Sequence, residues 1–302
     1  MKRILFLFLF LISVHHQSSA QNYKAQFNEL IKGNKDSTAL KKVLHDWKAS
    51  KPDDAELYVA FYNYYVLESR VDLIALERTP KGEESLKMIG TDSTNKGEVA
   101  YINDGTYYKP EYLNVGFAYI DTGIRKFPSR LDMWFGKVYM FGEIKDYKSF
   151  TNELIKVVEY SAKIDNRWTW TDNEPLKDPK NYLLGSLQDY IVQLYNEGDV
   201  QANNINKLAG ICCKYYPKRV EFLSDYSISF IMRGDFKGAL KPLLDAAAIA
   251  PEDAIVLNNI AFCYYKNGDK TNAIKYYELA VKFGDDRQKE QANEKLSELR
   301  KK

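Results

Sequence analysis

The feature that most constrains the fold is a spacing of 34 residues that recurs in the C-terminal third of the chain. Positions 34 apart carry residues of the same chemical type, and they include prolines, glycines, acids and alanines. The pairs are Pro217 and Pro251, Leu223 and Leu257, Tyr226 and Ile260, Phe230 and Tyr264, Gly234 and Gly268, Asp235 and Asp269, Ala239 and Ala273, Leu240 and Ile274, and Ala246 and Ala280. Such a period is typical of arrays in which each unit buries its apolar face against its neighbours. The chain is therefore predicted to build a stack of similar units.

Each unit has the pattern of two helices joined by a short turn. The i, i+3, i+4, i+7 spacing of an apolar helical stripe occurs at Leu257, Ile260, Ala261 and Tyr264. Residues 267–269 then break the helix, because the central glycine is free to adopt the left-handed conformation that ends helices. A second stripe begins at Ala273, a small residue that lets another helix approach closely. This pattern predicts an all-α fold.

These aromatic, small and proline positions resemble those of the tetratricopeptide repeat family over residues 220–253 and 254–287. The resemblance implies an all-α, right-handed superhelical solenoid of antiparallel helix pairs, without a sheet from residue 183 onward. Asp285 stands where a further repeat would have a proline, so we expect the array to end there. Residues 288–302 are predicted to form a polar C-terminal capping helix, whose apolar residues are Ala292, Leu296 and Leu299.

Upstream of the clear repeats the same pattern is weaker and is interrupted twice. Residues 21–164 are predicted to form divergent helical repeats, and residues 183–287 form the tetratricopeptide-like ones. The first interruption is an insertion at residues 70–110, where two short alternating runs around a turn-rich segment predict a small β-hairpin. The second is an irregular loop over residues 165–182. Pro242 lies inside a predicted second helix and predicts a kink or a late helix start there.

The first twenty residues have the order of a secretory signal peptide. Lys2 and Arg3 form a positive start, residues 4–14 form an apolar run, and a small-residue cleavage site ends at Ala20. An apolar run of 11 residues is too short for a membrane span, which needs about 20. We therefore expect cleavage after Ala20, a periplasmic or secreted location typical of exported bacterial members of the family, and no integral membrane segment after cleavage.

The charge balance argues against two classes of partner. Once Lys2 and Arg3 leave with the signal peptide, 41 basic side chains face 41 acidic ones, so the mature chain has no formal net charge. A neutral chain lacks the electrostatic signature of nucleic-acid binding and of attachment to an anionic membrane. We therefore expect no nucleic-acid partner.

Residues suited to catalysis or metal binding are scarce. His45 is the only histidine after signal cleavage, and the sequence contains neither a phosphate-binding glycine loop nor an HExxH zinc motif. Cys212, Cys213 and Cys263 are predicted to be small buried thiols, although their odd number leaves an intermolecular disulfide open. The Asp- and Asn-rich stretch 165–178 lacks the alternating order of a calcium loop. The chain is therefore predicted not to be an enzyme and to use no cofactor or metal.

A second face of the first helices is the candidate binding surface. In the family that the repeats resemble, these positions line a concave groove that binds peptide segments. The candidate residues are Phe135, Tyr139, Ile228, Ile231, Asn258, Phe262 and Tyr265. The alternative is that these side chains pack only on the neighbouring unit or on the capping helix.

The irregular loop carries Trp168 and Trp170, two of the four tryptophans in the chain. Either both rings fill the phase break between repeats, or an exposed ring forms a stacking surface for a sugar or for a partner's aromatic side chain. The leading hypothesis is an exported protein-interaction scaffold that binds a protein or peptide partner through the concave groove. The alternative is a glycan-binding accessory protein that uses the loop aromatics.

Overall fold

Helices dominate the computed structural model, which describes residues 19–33, 36–79, 85–90, 94, 97 and 99–301. Its helices are α1 (Ser19–Lys32), α2 (Ser37–Ser50), α3 (Ala55–Ser69), α4 (Pro110–Lys126), α5 (Leu131–Glu143), α6 (Tyr147–Lys163), α7 (Pro179–Asn196), α8 (Ala202–Tyr215), α9 (Val220–Met232), α10 (Phe236–Ile249), α11 (Ala254–Lys266), α12 (Lys270–Phe283) and α13 (Asp286–Lys301). Its strands are β1 (Arg70–Glu77), β2 (Leu86–Ile89) and β3 (Val99–Tyr108), and its short 3-10 turns are Thr171–Asn173 and Asp199–Gln201. The predicted all-α class is confirmed, and the apolar run of the predicted signal peptide lies outside the described residues.

The chain forms two compact units, and the boundary between them lies between Lys126 and Phe127. In the N-terminal unit, α1, α2 and α3 share one core, against which Tyr119 of α4 also packs; α3 is apolar around most of its surface and is buried among the other helices. Asp54 connects two of these helices: it caps α3 by accepting a hydrogen bond from Glu56 N, and it accepts another from Trp47 Nε1 of α2 at 3.0 Å. The core residues are Phe27, Leu40, Leu44, Trp47, Leu57, Ala60, Phe61 and Tyr64.

The insertion between α3 and α4 forms a three-stranded antiparallel sheet of order β1-β3-β2. The predicted hairpin is confirmed by the pairing of β2 with β3, in which Leu86 pairs with Ile102 and Ile89 with Val99. The sheet is larger than predicted, because β1 starts directly after α3 and its first residue, Arg70, pairs with Tyr108. No local break marks β1, and its partner strand is distant in the chain, so periodicity did not indicate it.

In the C-terminal unit, the same type of turn joins the two helices of successive pairs. Gly234 (φ 75°) and Gly268 (φ 82°) adopt the left-handed conformation, as the 34-residue spacing predicts. The following acids then cap the second helices, since Asp235 accepts a hydrogen bond from Gly238 N and Asp269 accepts one from Asn272 N. The recurring residues therefore have the same roles in both repeats: the glycine forms the turn, and the aspartate caps the second helix.

Small residues let the helices of each pair approach closely. The alanines that recur on the second helices are at most 1% exposed, and they are Ala239, Ala246, Ala273 and Ala280. Pro242 is also buried, and α10 starts at Phe236 and continues through it to Ile249, so of the two predicted alternatives, a kink or a late start, the late start is wrong. From residue 183 to residue 301 the described backbone contains helix and turn only.

Helix α13 covers the last repeat. Ala292, Leu296 and Leu299 are all buried and pack in one cluster with Leu257 and Tyr277 of the preceding helices. A reciprocal cap begins the helix, because Asp285 Oδ1 accepts a hydrogen bond from Gln288 N while Gln288 Oε1 accepts one from Asp285 N. The helix begins two residues before the predicted position 288.

Candidate functional site

Phe135 and Tyr139, the two candidate residues on α5, have opposite environments. Tyr139 is 59% exposed, whereas Phe135 is only 7% exposed. Aromatic rings from the irregular segment and from α7 cover Phe135, with centroid distances of 6.4 Å to Trp170, 6.5 Å to Tyr182 and 5.3 Å to Tyr190. The prediction that Phe135 contributes to a binding surface is therefore wrong, because segments distant in the sequence bury it.

The candidate residues on α9 and α11 remain accessible in part. Tyr265 is 37% exposed, and Ile228, Ile231, Asn258 and Phe262 are half-buried. We call these five residues the α9–α11 surface. Their accessibility contrasts with the full burial of their neighbours on the same helices, such as Ser227 and Cys263, at 0%.

Intrachain contacts order parts of the α9–α11 surface. The ring of Phe262 meets Phe236 of α10 edge to face at a centroid distance of 5.6 Å. The ammonium of Lys266 lies over both rings, at 5.5 Å from Phe262 and 5.7 Å from Phe236. Ile231 packs at the margin of the core cluster of α9 to α11. Contacts within the chain therefore hold apolar rings and a cation in place at this surface.

Asn258 faces the capping helix. It lines a pocket of about 350 Å³ together with Asp285, just before α13, and with Arg287 and Gln288 in the first turn of α13. The Asn258 Oδ1 atom is buried without a hydrogen-bond partner in the described structure. The alternative in which first-helix residues face the capping helix therefore applies to Asn258.

The two loop tryptophans are not equivalent. Trp168 is 1% exposed, and its Nε1 donates a hydrogen bond to Ser161 Oγ at 2.9 Å. Trp170 is half-buried and meets the ring of Tyr182 edge to face at 5.4 Å. Of the two alternatives for Trp168, its burial supports the one in which the ring fills the interior beside α6, so the choice of Trp168 as a candidate binding residue is wrong. The glycan-binding alternative thereby loses one of its two stacking rings.

Side-chain hydrogen bonds hold the irregular segment near its start, at Asn166, and in its middle, at Asn173. The guanidinium of Arg130 is fully buried and donates two hydrogen bonds of 2.8 Å to the carboxylate of Asp132 and one of 3.2 Å to Asn173 Oδ1. Asn166 Oδ1 accepts hydrogen bonds from the hydroxyls of Ser161 and Tyr216. The segment ends at Asp178, because α7 begins at Pro179, so it is shorter than the predicted 165–182. These contacts make the segment part of the packing of the C-terminal unit, so its role is structural.

Several titratable groups in the C-terminal unit are buried, and burial shifts their pKa values. Burial raises the pKa of Cys213 and of Cys263 to about 12, and that of Cys212 rises as well, so these free thiols are not poised as nucleophiles. Burial also raises the pKa of Asp225 to about 6. Among the described residues, no group of three or more His, Cys, Asp and Glu side chains could hold a metal ion.

A pocket of about 380 Å³ lies in the N-terminal unit, and sequence analysis did not predict it. We call it the aromatic–lysine pocket, and its lining residues are Lys48, Pro52, Leu57, Tyr58, Phe61, Ala118, Tyr119, Thr122 and Lys126. The rings of Phe61 and Tyr119 stack in parallel with centroids 4.1 Å apart. The aromatic rings come from α3 and α4 and the two lysines from α2 and α4, so no local sequence pattern marks the pocket and only the packing of these helices brings its residues together.

The sheet of the N-terminal unit exposes apolar side chains. The residues concerned are Leu73 (48% exposed), Ile74 (79%), Leu76 (66%), Leu86 (66%), Met88 (48%) and Ile89 (58%). Neighbouring positions along a strand point to opposite faces, so both faces of the sheet carry apolar groups. In the part of the chain that the structure describes, no helix has both the length and the apolar character that a membrane span requires.

Comparison with known proteins gives structural likenesses only. No protein-family model matches the chain, and no curated protein matches it in sequence. Among solved structures, the TPR domain of P58(IPK) is 14% identical with a TM-score of 0.35, and the match covers 93% of this chain and 65% of that one. YrrB, described as a TPR protein with an unusual peptide-binding site, is 12% identical with a TM-score of 0.37 and coverages of 83% and 97%. Yeast Tom70 is 11% identical with a TM-score of 0.35 and coverages of 93% and 58%.

The chain spans less than two thirds of the P58(IPK) domain and of Tom70. The assignment of its fold rests on its own helix pairs, on the turns that recur between them and on the small residues at their contacts.

Proposed function

We propose that this chain is an exported, non-enzymatic scaffold that binds a protein or peptide partner through Ile228, Ile231, Phe262 and Tyr265 of the α9–α11 surface. The observation that carries the proposal is the partial exposure of Ile228, Ile231, Phe262 and Tyr265 on first helices whose neighbouring residues are buried. Apolar side chains that remain accessible on a rigid helical frame lose little conformational entropy when a partner covers them.

The chemistry of the surface favours an extended segment with apolar side chains. Phe262 and Tyr265 offer aromatic area, which contributes strongly to protein interfaces. The ammonium of Lys266, held above the Phe262 ring, provides a hydrogen-bond donor at the margin. Recognition would therefore rely on apolar contact, with polar groups at the rim adding specificity.

A pair of substitutions tests the binding surface. The double variant Ile228→Ala and Phe262→Ala should retain the helical circular dichroism of the purified chain but recover much less of the partner captured from an envelope fraction, as quantified by mass spectrometry. Ile249→Ser is the control, because Ile249 is a 45% exposed apolar residue on the second helix α10. Equal recovery with the double variant and the control would contradict the assignment of the surface.

Export is the second part of the proposal and rests on residues 1–20 alone. The charged start, the apolar run and the small residues before Gln21 are the supporting features. N-terminal sequencing of the native protein should begin at or near Gln21, and the protein should appear in the periplasmic or secreted fraction. A native chain that retains Met1 would contradict export by signal cleavage without affecting the binding surface.

A further inference from the structure

The aromatic–lysine pocket has a largely apolar interior. Leu57 and Phe61 of α3 lie opposite Ala118 and Tyr119 of α4, and the stacked rings of Phe61 and Tyr119 form one side. Its volume of about 380 Å³ falls within the range of roughly 300–1,000 Å³ that is usual for sites of small ligands. The pocket is therefore large enough for a compact apolar group of about one ring.

The walls of this pocket are fixed by contacts within the protein. The hydroxyl of Tyr58 donates a hydrogen bond of 2.8 Å to the carbonyl oxygen of Pro52, which ties α3 to the preceding turn. Trp47 Nε1 secures the same turn through Asp54. Leu57 is 1% exposed and belongs to the core of the unit. A ligand would thus meet a preformed site, which reduces the entropic cost of binding.

Two ammonium groups stand at the pocket, and they differ in their electrostatic surroundings. Lys126 forms an ion pair with Asp53, which compensates its charge, and it also lies 5.5 Å from the centroid of the Tyr58 ring. Lys48 lies over Phe61 and Tyr119, at 5.7 Å and 5.4 Å from the ring centroids. Among the described residues, no carboxylate is within ion-pair distance of Lys48 Nζ. The pocket therefore combines an apolar interior with one uncompensated positive charge.

We propose that the aromatic–lysine pocket binds a small organic acid that has a single carboxylate and a compact apolar body, such as one aromatic ring. The body lies against the Phe61–Tyr119 pair, and the carboxylate accepts a hydrogen bond from Lys48 Nζ. The single free cation matches a monoanion, whereas a neutral ligand of the same shape would leave the ammonium without its anionic partner. The site lies on α2 to α4 and is independent of the α9–α11 surface.

Isothermal titration calorimetry of the purified full chain with 3-phenylpropionate tests the proposal, with 3-phenylpropan-1-ol as the neutral analogue. The acid should bind, and the alcohol should bind about tenfold more weakly or worse, because it lacks the charge-assisted hydrogen bond. Lys48→Met should weaken binding of the acid by a similar factor, while Lys48→Arg should preserve most of it. Lys237→Met, at an exposed lysine of α10, is the matched control and should leave the affinity unchanged.

A second variant separates the cavity from the charge. Ala118 is exposed at the rim, so Ala118→Trp should be tolerated by the fold and should abolish binding by filling the pocket. Circular dichroism checks that each variant is folded. The proposal is overturned if 3-phenylpropionate gives no binding heat at millimolar concentration. It is also overturned if the alcohol binds as tightly as the acid, or if Lys48→Met and Ala118→Trp bind like the wild type.

Discussion

Trp168 places its whole indole ring in the interior of the C-terminal unit, where Ser161 accepts the hydrogen bond from Nε1. Trp168→Ala should lower the free energy of unfolding by about 3–5 kcal/mol, because it leaves a large cavity and removes the hydrogen bond that Ser161 Oγ accepts. Trp170→Ala is the matched comparison two residues away, and it should cost less because Trp170 is half-buried. Urea denaturation measures both values, and equal losses would contradict the difference in burial.

Asp225 is the buried acid whose ionisation opposes folding. It is 4% exposed, its Oδ1 accepts a hydrogen bond from the Tyr195 hydroxyl at 3.2 Å, and its Oδ2 has no hydrogen-bond partner within the described structure. Burial raises its pKa from 3.8 to about 6. At pH values between 3.8 and about 6, the Asp225 carboxyl is protonated in the native state but ionised in the unfolded state. The free energy of unfolding therefore falls as the pH rises through this range.

The variant Asp225→Asn removes this pH dependence. The shift in pKa from 3.8 to about 6 corresponds to about 2–2.5 kcal/mol of stability lost between pH 4 and pH 7. The free energy of unfolding of Asp225→Asn minus that of the wild type should therefore rise by about that amount from pH 4 to pH 7. Urea denaturation at both pH values provides the measurement. A difference between the two proteins that stays constant with pH would show that Asp225 remains ionised in the folded state.

At the scale of elements, three helix pairs use the same left-handed turn but not the same residue. Gly234 and Gly268 occupy the turn in two pairs, whereas Lys145, with φ 57°, occupies it between α5 and α6. In each case the next residue is an acid that caps the following helix, as Asp146 does by accepting a hydrogen bond from Ser149 N. A side chain is strained in this conformation, so the non-glycine turn carries a conformational cost.

Exchanging the turn residues should change stability in opposite directions. Gly268→Ala should lower the free energy of unfolding by about 1–2 kcal/mol, because alanine must adopt φ near 82°. Lys145→Gly should raise it by about 0.5–1 kcal/mol, since relief of strain exceeds the added entropy of glycine in the unfolded chain. Thermal and urea denaturation supply both values. Destabilisation by Lys145→Gly would mean that contacts of the lysine side chain outweigh the strain.

The turn residues also show what local sequence predicts well. A left-handed glycine followed by a capping acid acts within one turn of the chain, so the spacing alone located it at Gly268 and Asp269. The same reasoning predicted the buried alanines, because a small residue at a helix contact needs no knowledge of distant segments. The sequence left open whether Phe135 lines a groove or packs on the neighbouring unit, because Trp170, Tyr182 and Tyr190, which bury it, belong to elements that follow much later in the chain.

At the scale of the whole molecule, each compact unit has its own apolar core. Leu44 is 1% exposed in the core of the N-terminal unit. Leu44→Ala should cost about 2–5 kcal/mol and should lower the hydrogen-exchange protection of amides in α1 to α4. Protection in α9 to α12 should change much less, because those helices bury a separate set of residues. A uniform loss of protection across both units would indicate that they unfold as one cooperative body.

The sequence by itself determined the helical class, the pairing of helices in the repeats, the turn residues and the three apolar contacts of the last helix. These features follow from periodicity and turn chemistry, which act between residues close together in the chain. Only the tertiary structure decided that β1 joins the sheet, that Trp168 is interior, and that Lys48 lies over the rings of Phe61 and Tyr119. Each of these depends on how elements distant in sequence pack against one another, and a residue's own periodic pattern does not specify which distant side chain will cover it.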